Sequence, residues 1–213
     1  NLIIRKVIKR DKNLLETESF KQRVLVEKDR NHTWIFTSGD KADSFQGNPK
    51  YLFVYINKYR KDIDAFWLTI SEEMAEYIRQ CGYRAYADGT VEAEYVKSKA
   101  GVLVAEHVKI VIPSGLENAK YLNLYHGVGS KPVEHSISEG PLFEGIAKKY
   151  IKNNQIYRNQ QLFLATSPLI EENFKKQCFI DEDNIIRAGY PRCLYQKYYE
   201  KIATFDHDLK TIK

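Results

Sequence analysis

Residues 65–105 read AFWLTISEEMAEYIRQCGYRAYADGTVEAEYVKSKAGVLVA, and strand-like apolar runs alternate with helix-like segments along them. AFWLTI at 65–70 is short and mostly apolar, which is typical of a strand buried on both faces. Ser71 can cap the helix that follows, and Gly82 ends it. The next predicted elements are a short strand near 83–86, a helix from Thr90 to about Lys99 and a strand at 101–105.

The same alternation extends to both sides of this stretch. TWIFT at 33–37 predicts a strand, and Asn48 and Pro49 suit the cap and first turn of a helix. Further strands are predicted at 121–126, 162–166 and 184–189, with 108–112 as a short strand or an extended connection. Further helices are predicted from Pro141 to about Ile151, from Ser167-Pro168 to about Cys178 and over 194–203. This order indicates right-handed crossovers, so we predict an α/β fold with an open parallel Rossmann-like sheet and helices on both faces.

The composition suits one folded unit of this kind. The chain has 213 residues, and the 43% that are apolar suffice for a layered core, which excludes a disordered tail. The 33 Lys and Arg against 28 Asp and Glu leave a net charge of +5, too small an excess for a dedicated nucleic-acid binder. A mildly basic surface instead suits anionic substrates or an anionic membrane.

The spacing of cysteine and histidine argues against disulfides and metal sites. Cys81, Cys178 and Cys193 form no C-x-x-C pair, and no H-x-x-x-H or H-E-x-x-H pair occurs, so neither a metal nor another cofactor is predicted. The sequence shows no run of 18 apolar residues and no signal peptide. We therefore expect a cytoplasmic protein, and peripheral contact with the inner face of the cell membrane stays open as an option.

The two ends of the chain lie outside the predicted sheet. Residues 1–32 are basic and amphipathic, and we interpret them as a connecting segment, with a membrane-surface helix as the alternative. Residues 33–195 are the predicted Rossmann-like domain, and 196–213 a linker helix. Because the chain starts at Asn1 and its one methionine is Met74, we expect it to be a piece of a longer protein.

The loop after the predicted strand at 121–126 holds the residues best suited to chemistry. Parallel sheets bind ligands beyond the carboxyl ends of their strands. His126 is the last residue of this predicted strand, and a neutral imidazole there can accept a proton from a hydroxyl group. Backbone N–H groups, a hydroxyl and an ammonium suited to an anion follow it, in Gly127, Gly129, Ser130 and Lys131. A structural, hydrogen-bonded His126 explains the pattern equally well.

Two further polar residues are candidates for the same edge of the sheet. Asp40 follows the strand at 33–37, and Arg192 follows the predicted strand at 184–189. Arg192 is a forked donor for phosphate or carboxylate, and a turn fixed by Pro191 is an equally good explanation. No P-loop, G-x-G-x-x-G or G-x-S-x-G pattern is present, so those nucleotide-binding and hydrolase classes have no support.

Three stretches together resemble the CDP-glycerol glycerophosphotransferase family, which includes teichoic-acid primases and polymerases and related capsule polymerases. They are FQGNPKYL at 45–52 with the strand at 66–68, YLNLYHGVGSK at 121–131, and AGYPR at 188–192. Tyr125 stands where that family usually has tryptophan, and Cys193 where it usually has asparagine. The order and spacing of the stretches carry the resemblance over residues 33–195.

The resemblance implies the amino-terminal half of a GT-B fold, whose nucleotide donor binds mainly to a carboxyl-terminal donor domain beyond residue 213. This piece alone should then bind CDP-glycerol or a similar nucleotide weakly or not at all, and it should show no transfer. The resemblance also implies that His126 is the general base. The unit transferred would be glycerol phosphate, or a related polyol or sugar phosphate, moving from CDP-glycerol or a similar CDP-activated donor to a cell-wall or capsule polymer.

The implied acceptor is a polyanion, with a lipid-linked form as an option, and no nucleic acid is expected as a partner. Two alternatives stay open. One is a GT-B glycosyltransferase that uses a nucleotide-sugar, and the other is a binding domain without turnover.

Overall fold

The computed structural model describes residues 30, 32–38, 43–107, 112–127, 136–137, 139–145, 161–178 and 180–199, and a parallel sheet is their framework. Its strands are β1 (Thr33–Phe36), β2 (Asp64–Thr69), β3 (Ala85–Ala87), β4 (Val102–Ala105), β5 (Lys120–Asn123), β6 (Leu162–Ala165) and β7 (Ile185–Arg187). They lie in the order β3-β2-β1-β4-β5-β6-β7, and every neighbouring pair is parallel. The predicted open parallel α/β sheet is confirmed.

Four of the described helices connect successive strands of this sheet, and a fifth follows β7. They are α1 (Gly47–Tyr59), α2 (Glu72–Gln80), α3 (Val91–Lys99), α4 (Pro168–Cys178) and α5 (Pro191–Tyr199). Residues 141–145 are also helical, and a short 3₁₀ turn spans Glu182–Asn184. Helix α2 begins at its predicted cap, Ser71, whose hydroxyl accepts the Met74 N–H at 3.3 Å. Helix α3 is capped in the same way by Thr90, whose hydroxyl accepts the Ala93 N–H at 3.2 Å.

One face of the sheet is covered by α1 and α2. Phe53 of α1 and Ile78 of α2 are fully buried there in one core with Trp67 of β2. Helix α5 packs beside α1, with the rings of Tyr51 and Tyr195 5.2 Å apart.

The opposite face is covered by α3 and α4. Val96 of α3 packs in a second core with Tyr121 of β5. Phe174 of α4 lies 4.5 Å from Phe163 of β6, ring to ring. Phe163 is on the same face as Tyr121, because it pairs with Asn123, two residues further along β5. Helices therefore lie on both faces, as predicted.

The strand order places a crevice at the centre of the sheet. The chain runs from β1 outward through β2 to β3, then returns to β4 beside β1 and continues outward on the other side. The connections after β1 and β4 leave in opposite directions, which opens a crevice beyond the carboxyl ends of these two strands. This is the edge at which the predicted ligand-binding residues should be found.

Several boundaries predicted from the sequence are wrong: the strands expected near 83–86 and at 184–189 are shorter, at Ala85–Ala87 and Ile185–Arg187, and three other differences concern the candidate site. The strand expected at 121–126 ends at Asn123, because Tyr125 has a left-handed backbone (φ 49°) that a strand does not continue through. The helix expected over 194–203 already begins at Pro191, a residue that suits the first turn. Helix α1 begins at Gly47, so Asn48 lies inside its first turn and is not its cap.

Some predicted elements extend beyond the described residues. These are the amphipathic segment at 1–29, most of the extended run at 108–112, the second half of the helix from Pro141, and residues 200–213 of the linker helix.

Candidate functional site

Asn48 connects three segments at the carboxyl edge of the sheet. It is 1% exposed. Its side-chain Nδ2 donates to the carbonyl oxygen of Tyr125 at 2.6 Å, and its Oδ1 accepts the backbone N–H of Arg192 at 3.2 Å. Its own backbone N–H donates to Glu106 Oε2 at 2.9 Å. Asn48 thus joins the start of α1 to three other segments: the residue after β4 through its backbone N–H, and the loop after β5 and the start of α5 through its side chain.

Glu106 is a buried carboxylate at the start of α1. Burial raises its pKa above the ordinary value, and the Asn48 N–H and the nearby side chains of His107 and Arg192 oppose that rise. The carboxylate lies against Gly47, whose φ is +74°, and a Cβ at Gly47 would overlap it. Glycine at position 47 thus allows both the left-handed turn and the approach of the carboxylate.

The backbone of Tyr125 is fixed on both sides. Its N–H donates to Asn123 Oδ1 at 2.9 Å, while its carbonyl accepts from Asn48. These two hydrogen bonds support a left-handed conformation that is unusual for a bulky residue. The Tyr125 ring is buried against Phe174 of α4, 4.5 Å away between ring centroids. The position of the next residue, His126, follows from this anchored turn.

The His126 side chain is exposed and contacts two rings: it stacks on Tyr125 and lies tilted by 31° against His107. Its ring centroid lies 4.3 Å from that of Tyr125 and 4.7 Å from that of His107. His107, the second residue after β4, is held in turn, because its carbonyl accepts the Tyr121 hydroxyl at 2.5 Å. An imidazole that is both oriented and open to solvent can exchange a proton with a substrate.

Gly127 and Tyr190 join the loop after β5 to the segment before α5. The Tyr190 hydroxyl donates to the Gly127 carbonyl at 2.7 Å, and burial raises the pKa of that hydroxyl. A Cβ at Gly127 would meet none of the described atoms within 4 Å, so its backbone is open on that side. Arg192 lies two residues after Tyr190, in the first turn of α5, and its side chain is exposed.

The structure thus brings together three of the predicted site residues, His126, Gly127 and Arg192. His126 lies three residues beyond β5 rather than at its end. Four other predicted site residues lie outside the described residues: Asp40, Gly129, Ser130 and Lys131.

Sequence reasoning missed Glu106, His107 and the tertiary role of Asn48. Glu106 and His107 directly follow β4, so the rule that ligands bind beyond strand ends pointed to them. For Asn48 no local pattern gives the answer, since a cap was the expected use of asparagine before proline.

Three further findings concern the described residues. No group of three His, Cys, Asp or Glu side chains in this part of the chain could hold a metal ion. A groove of about 290 Å³ lies between α1 and α5, but its lining contains none of the predicted site residues; it consists of Tyr51, Leu52, Tyr55, Pro191, Leu194, Tyr195 and Tyr198. Across the described helices, none is long and apolar enough to cross a bilayer.

Known proteins resemble this chain in sequence and in fold. A teichoic acid poly(glycerol phosphate) polymerase of Staphylococcus epidermidis is 24% identical over 210 residues, which cover 88% of this chain and 27% of that protein. A solved structure of the wall teichoic acid polymerase TagF has a TM-score of 0.65 at 20% identity, over 92% of this chain and 49% of that one. A histidine variant of TagF soaked with CDPG has a TM-score of 0.62 at 20% identity, over 94% of this chain and 53% of that one.

The chain spans about half of the solved TagF chains and about a quarter of the curated relative. At about 20% identity, the likeness to the solved structures shows the fold alone. The assignment to a family comes from a family model, described as CDP-Glycerol:Poly(glycerophosphate) glycerophosphotransferase, which matches residues 19–211 and so nearly the whole sequence. This chain belongs to the CDP-glycerol:poly(glycerophosphate) glycerophosphotransferase family.

Proposed function

We propose that the protein transfers glycerol phosphate from CDP-glycerol to a growing poly(glycerol phosphate) polymer, with His126 as the general base. Membership of the family supports the class of reaction. The observation that carries the role of His126 is its exposed ring at the carboxyl edge, oriented by Tyr125 and His107. Ligands of such sheets bind at this edge.

In the proposed reaction, a hydroxyl oxygen of the acceptor attacks the β-phosphorus of the donor. A new phosphorus–oxygen bond forms, and the bond from that phosphorus to the bridging oxygen breaks. CMP leaves with the electron pair of the broken bond, and the hydroxyl proton passes to a ring nitrogen of His126. Because phosphoryl transfer depends mainly on positioning and charge stabilisation, one oriented base beside anion-binding groups suits it.

Arg192 and the open backbone at Gly127 are the proposed phosphate-binding groups among the described residues. The guanidinium can form two parallel hydrogen bonds to phosphate oxygens. Four further residues are proposed to bind phosphate or the acceptor only because of their position in the sequence: Asp40, Gly129, Ser130 and Lys131.

The remaining parts of the proposal concern the whole protein. Residues 33–195 would form the acceptor-side domain, and 196–213 would lead to a donor domain. The acceptor would be presented at the inner face of the membrane if it is lipid-linked, and the basic segment at 1–32 would then favour contact with that surface.

The test is replacement of His126 in the intact protein, with CMP release from CDP-glycerol as the assay. His126→Ala should lower turnover by roughly 10²- to 10⁴-fold, the scale of a lost general base. The control is His32→Ala. His32 is exposed, its ring is hydrogen-bonded to the Asp62 carbonyl at 3.0 Å, and it lies just before β1, at the edge of the sheet opposite the site.

Lys131→Ala should raise KM more than it lowers kcat, because Lys131 is proposed to bind phosphate and not to take the proton.

Circular dichroism must show that His126→Ala is folded. Near-normal turnover in the folded variant would mean that His126 is structural and that the base lies elsewhere.

A further inference from the structure

The Asn48 side chain uses both ends of its amide on segments far away in the chain. Its Nδ2 bonds a carbonyl 77 residues away, and its Oδ1 bonds an N–H 144 residues away. Asn57, in the same helix, shows the ordinary alternative: its Nδ2 bonds the Phe53 carbonyl at 2.9 Å, one turn back in α1. The hydrogen bonds of the Asn48 side chain therefore do not stabilise α1 itself, but connect it to two other segments.

One bond of this amide acts on His126. The carbonyl of Tyr125 and the N–H of His126 belong to one planar peptide unit. A hydrogen bond from Asn48 to that carbonyl fixes the plane from which the His126 side chain starts. Asn123 holds the N–H of Tyr125 in the same way. The peptide units on both sides of Tyr125 are therefore fixed by hydrogen bonds, and with them its left-handed backbone.

The other bond of the amide acts on Arg192. Its backbone N–H is one of the first in α5 and would lack a partner within the helix. Asn48 Oδ1 accepts it at 3.2 Å. One rigid, buried side chain thus lies between the residue proposed as the base and the residue proposed to bind phosphate.

We propose that Asn48 is a positioning residue, which sets the distance and orientation between His126 and Arg192 through its two side-chain hydrogen bonds. The inference rests on the proposed function for its catalytic consequence, while the positioning itself can be measured without turnover.

The test compares Asn48→Asp with Asn57→Asp in the isotope-labelled full chain by NMR. Asn48→Asp keeps the size of the side chain and an oxygen for the Arg192 N–H, but it removes the donor to the Tyr125 carbonyl and adds a carboxylate beside Glu106. We expect the His126 ring protons to shift toward their positions in an unfolded peptide, because the ring contacts with Tyr125 and His107 loosen. We expect the Arg192 amide to keep its hydrogen-bonded shift, and Asn57→Asp to leave both signals in place.

A measurement on the unsubstituted chain covers the case in which Asn48→Asp does not fold. One side-chain N–H of Asn48 should show a scalar coupling through the hydrogen bond to the Tyr125 carbonyl carbon. Absence of that coupling, or unchanged His126 ring signals in a folded Asn48→Asp chain, would overturn the proposal.

Turnover of the intact protein separates this inference from the proposed function. Asn48→Asp should lower kcat by about 10²-fold, the scale of a displaced catalytic group, and change KM much less. If His126→Ala is fully active while Asn48→Asp still moves the His126 signals, the proposed base is wrong and the positioning stands. If His126→Ala is inactive while kcat is normal in Asn48→Asp, Asn48 is not a positioning residue.

Discussion

Glu106 shows how much the surroundings of a single residue change its behaviour. A carboxylate at a helix start is normally favourable, because the first N–H groups and the helix dipole attract it. Glu106 receives the Asn48 N–H in this way, but it is only 7% exposed. Burial is the larger of the two effects, so its pKa is raised rather than lowered. Ionised Glu106 therefore lowers stability relative to its protonated form.

Glu106→Gln should remove one pH-dependent contribution to folding stability. Since the folded-state pKa of Glu106 is raised above the unfolded value, the contribution of this residue to wild-type stability should fall as pH rises from the unfolded pKa through the folded one. The variant cannot ionise and should lack that decrease. The measurement is urea unfolding of both proteins from pH 4 to pH 8, and the stability of the wild type minus that of the variant should fall with pH. A constant difference over this range would contradict the raised pKa.

Carboxyl groups with a lowered pKa do not affect the difference in stability between the wild type and Glu106→Gln. The pKa values of Asp62, beside Arg60, and Glu171, beside Arg187, are about 2. Their stabilising contributions are lost only as the solution becomes acidic, and both proteins carry them equally. They therefore cancel in the difference.

Helix α1 starts differently from α2 and α3. The latter two have hydroxyl caps from the residue just before them, while Gln46 before α1 provides no side-chain cap. Instead, the carboxylate of Glu106, which follows β4, accepts the N–H of Asn48 in the first turn of α1. Gly47 leaves room for this carboxylate. The start of α1 is thus stabilised by tertiary structure, and the two other helix starts by local sequence.

Gly47→Ala should destabilise the protein more than Gly82→Ala. Both glycines have a left-handed backbone, with φ of 74° and 86°, so both variants carry about 1–2 kcal/mol of backbone strain. Only at Gly47 would the new Cβ also overlap the Glu106 carboxylate, whereas none of the described atoms lies within 4 Å of a Cβ at Gly82. Chemical unfolding of both variants is the measurement. Equal losses would mean that the carboxylate moves aside at no cost.

At the scale of the whole molecule, the described residues form three buried clusters on the faces of one sheet: one with α1 and α2, and two on the opposite face, with α3 and with α4. The central strand β4 is buried along its full length and contributes to a cluster on each face: Val104 to the core with α1 and α2, and Leu103 to the core with α3. Strands buried on both faces are characteristic of parallel sheets covered by helices. The carboxyl edge is held in place by this shared strand, because Glu106 and His107 directly follow it.

Leu103→Ala should cost about 2–5 kcal/mol of the free energy of unfolding, since it leaves a cavity in a core where the side chain is 1% exposed. The matched control is Leu169→Ala, because Leu169 is 66% exposed at the start of α4 and should change stability by less than about 0.5 kcal/mol. Thermal or urea unfolding measures both. Similar losses in the two variants would show that the second core is not a major source of stability.

Local sequence patterns correctly predicted the order of the described strands and helices and the bounds of several of them. The runs at 33–37, 65–70 and 162–166 form strands within one residue of the expected bounds, and Ser71 caps its helix as expected. These predictions succeed because hydrophobic period and capping depend on residues within one or two turns of each other. The same patterns gave the parallel sheet, and the rule for ligand binding at its carboxyl edge placed His126 and Arg192 in the candidate site.

The arrangement within that site depends on contacts between distant residues, which local patterns do not contain. Asn48 looked like a cap, yet its amide bonds Tyr125 and Arg192. Glu106 was passed over, yet it completes the start of α1. Both contacts exist because β4 returns beside β1 and so brings the ends of separate strands to one edge. Strand order of this kind is set by the packing of all the elements together, and that is why the positions of the proposed base and its supports emerge only from the folded chain.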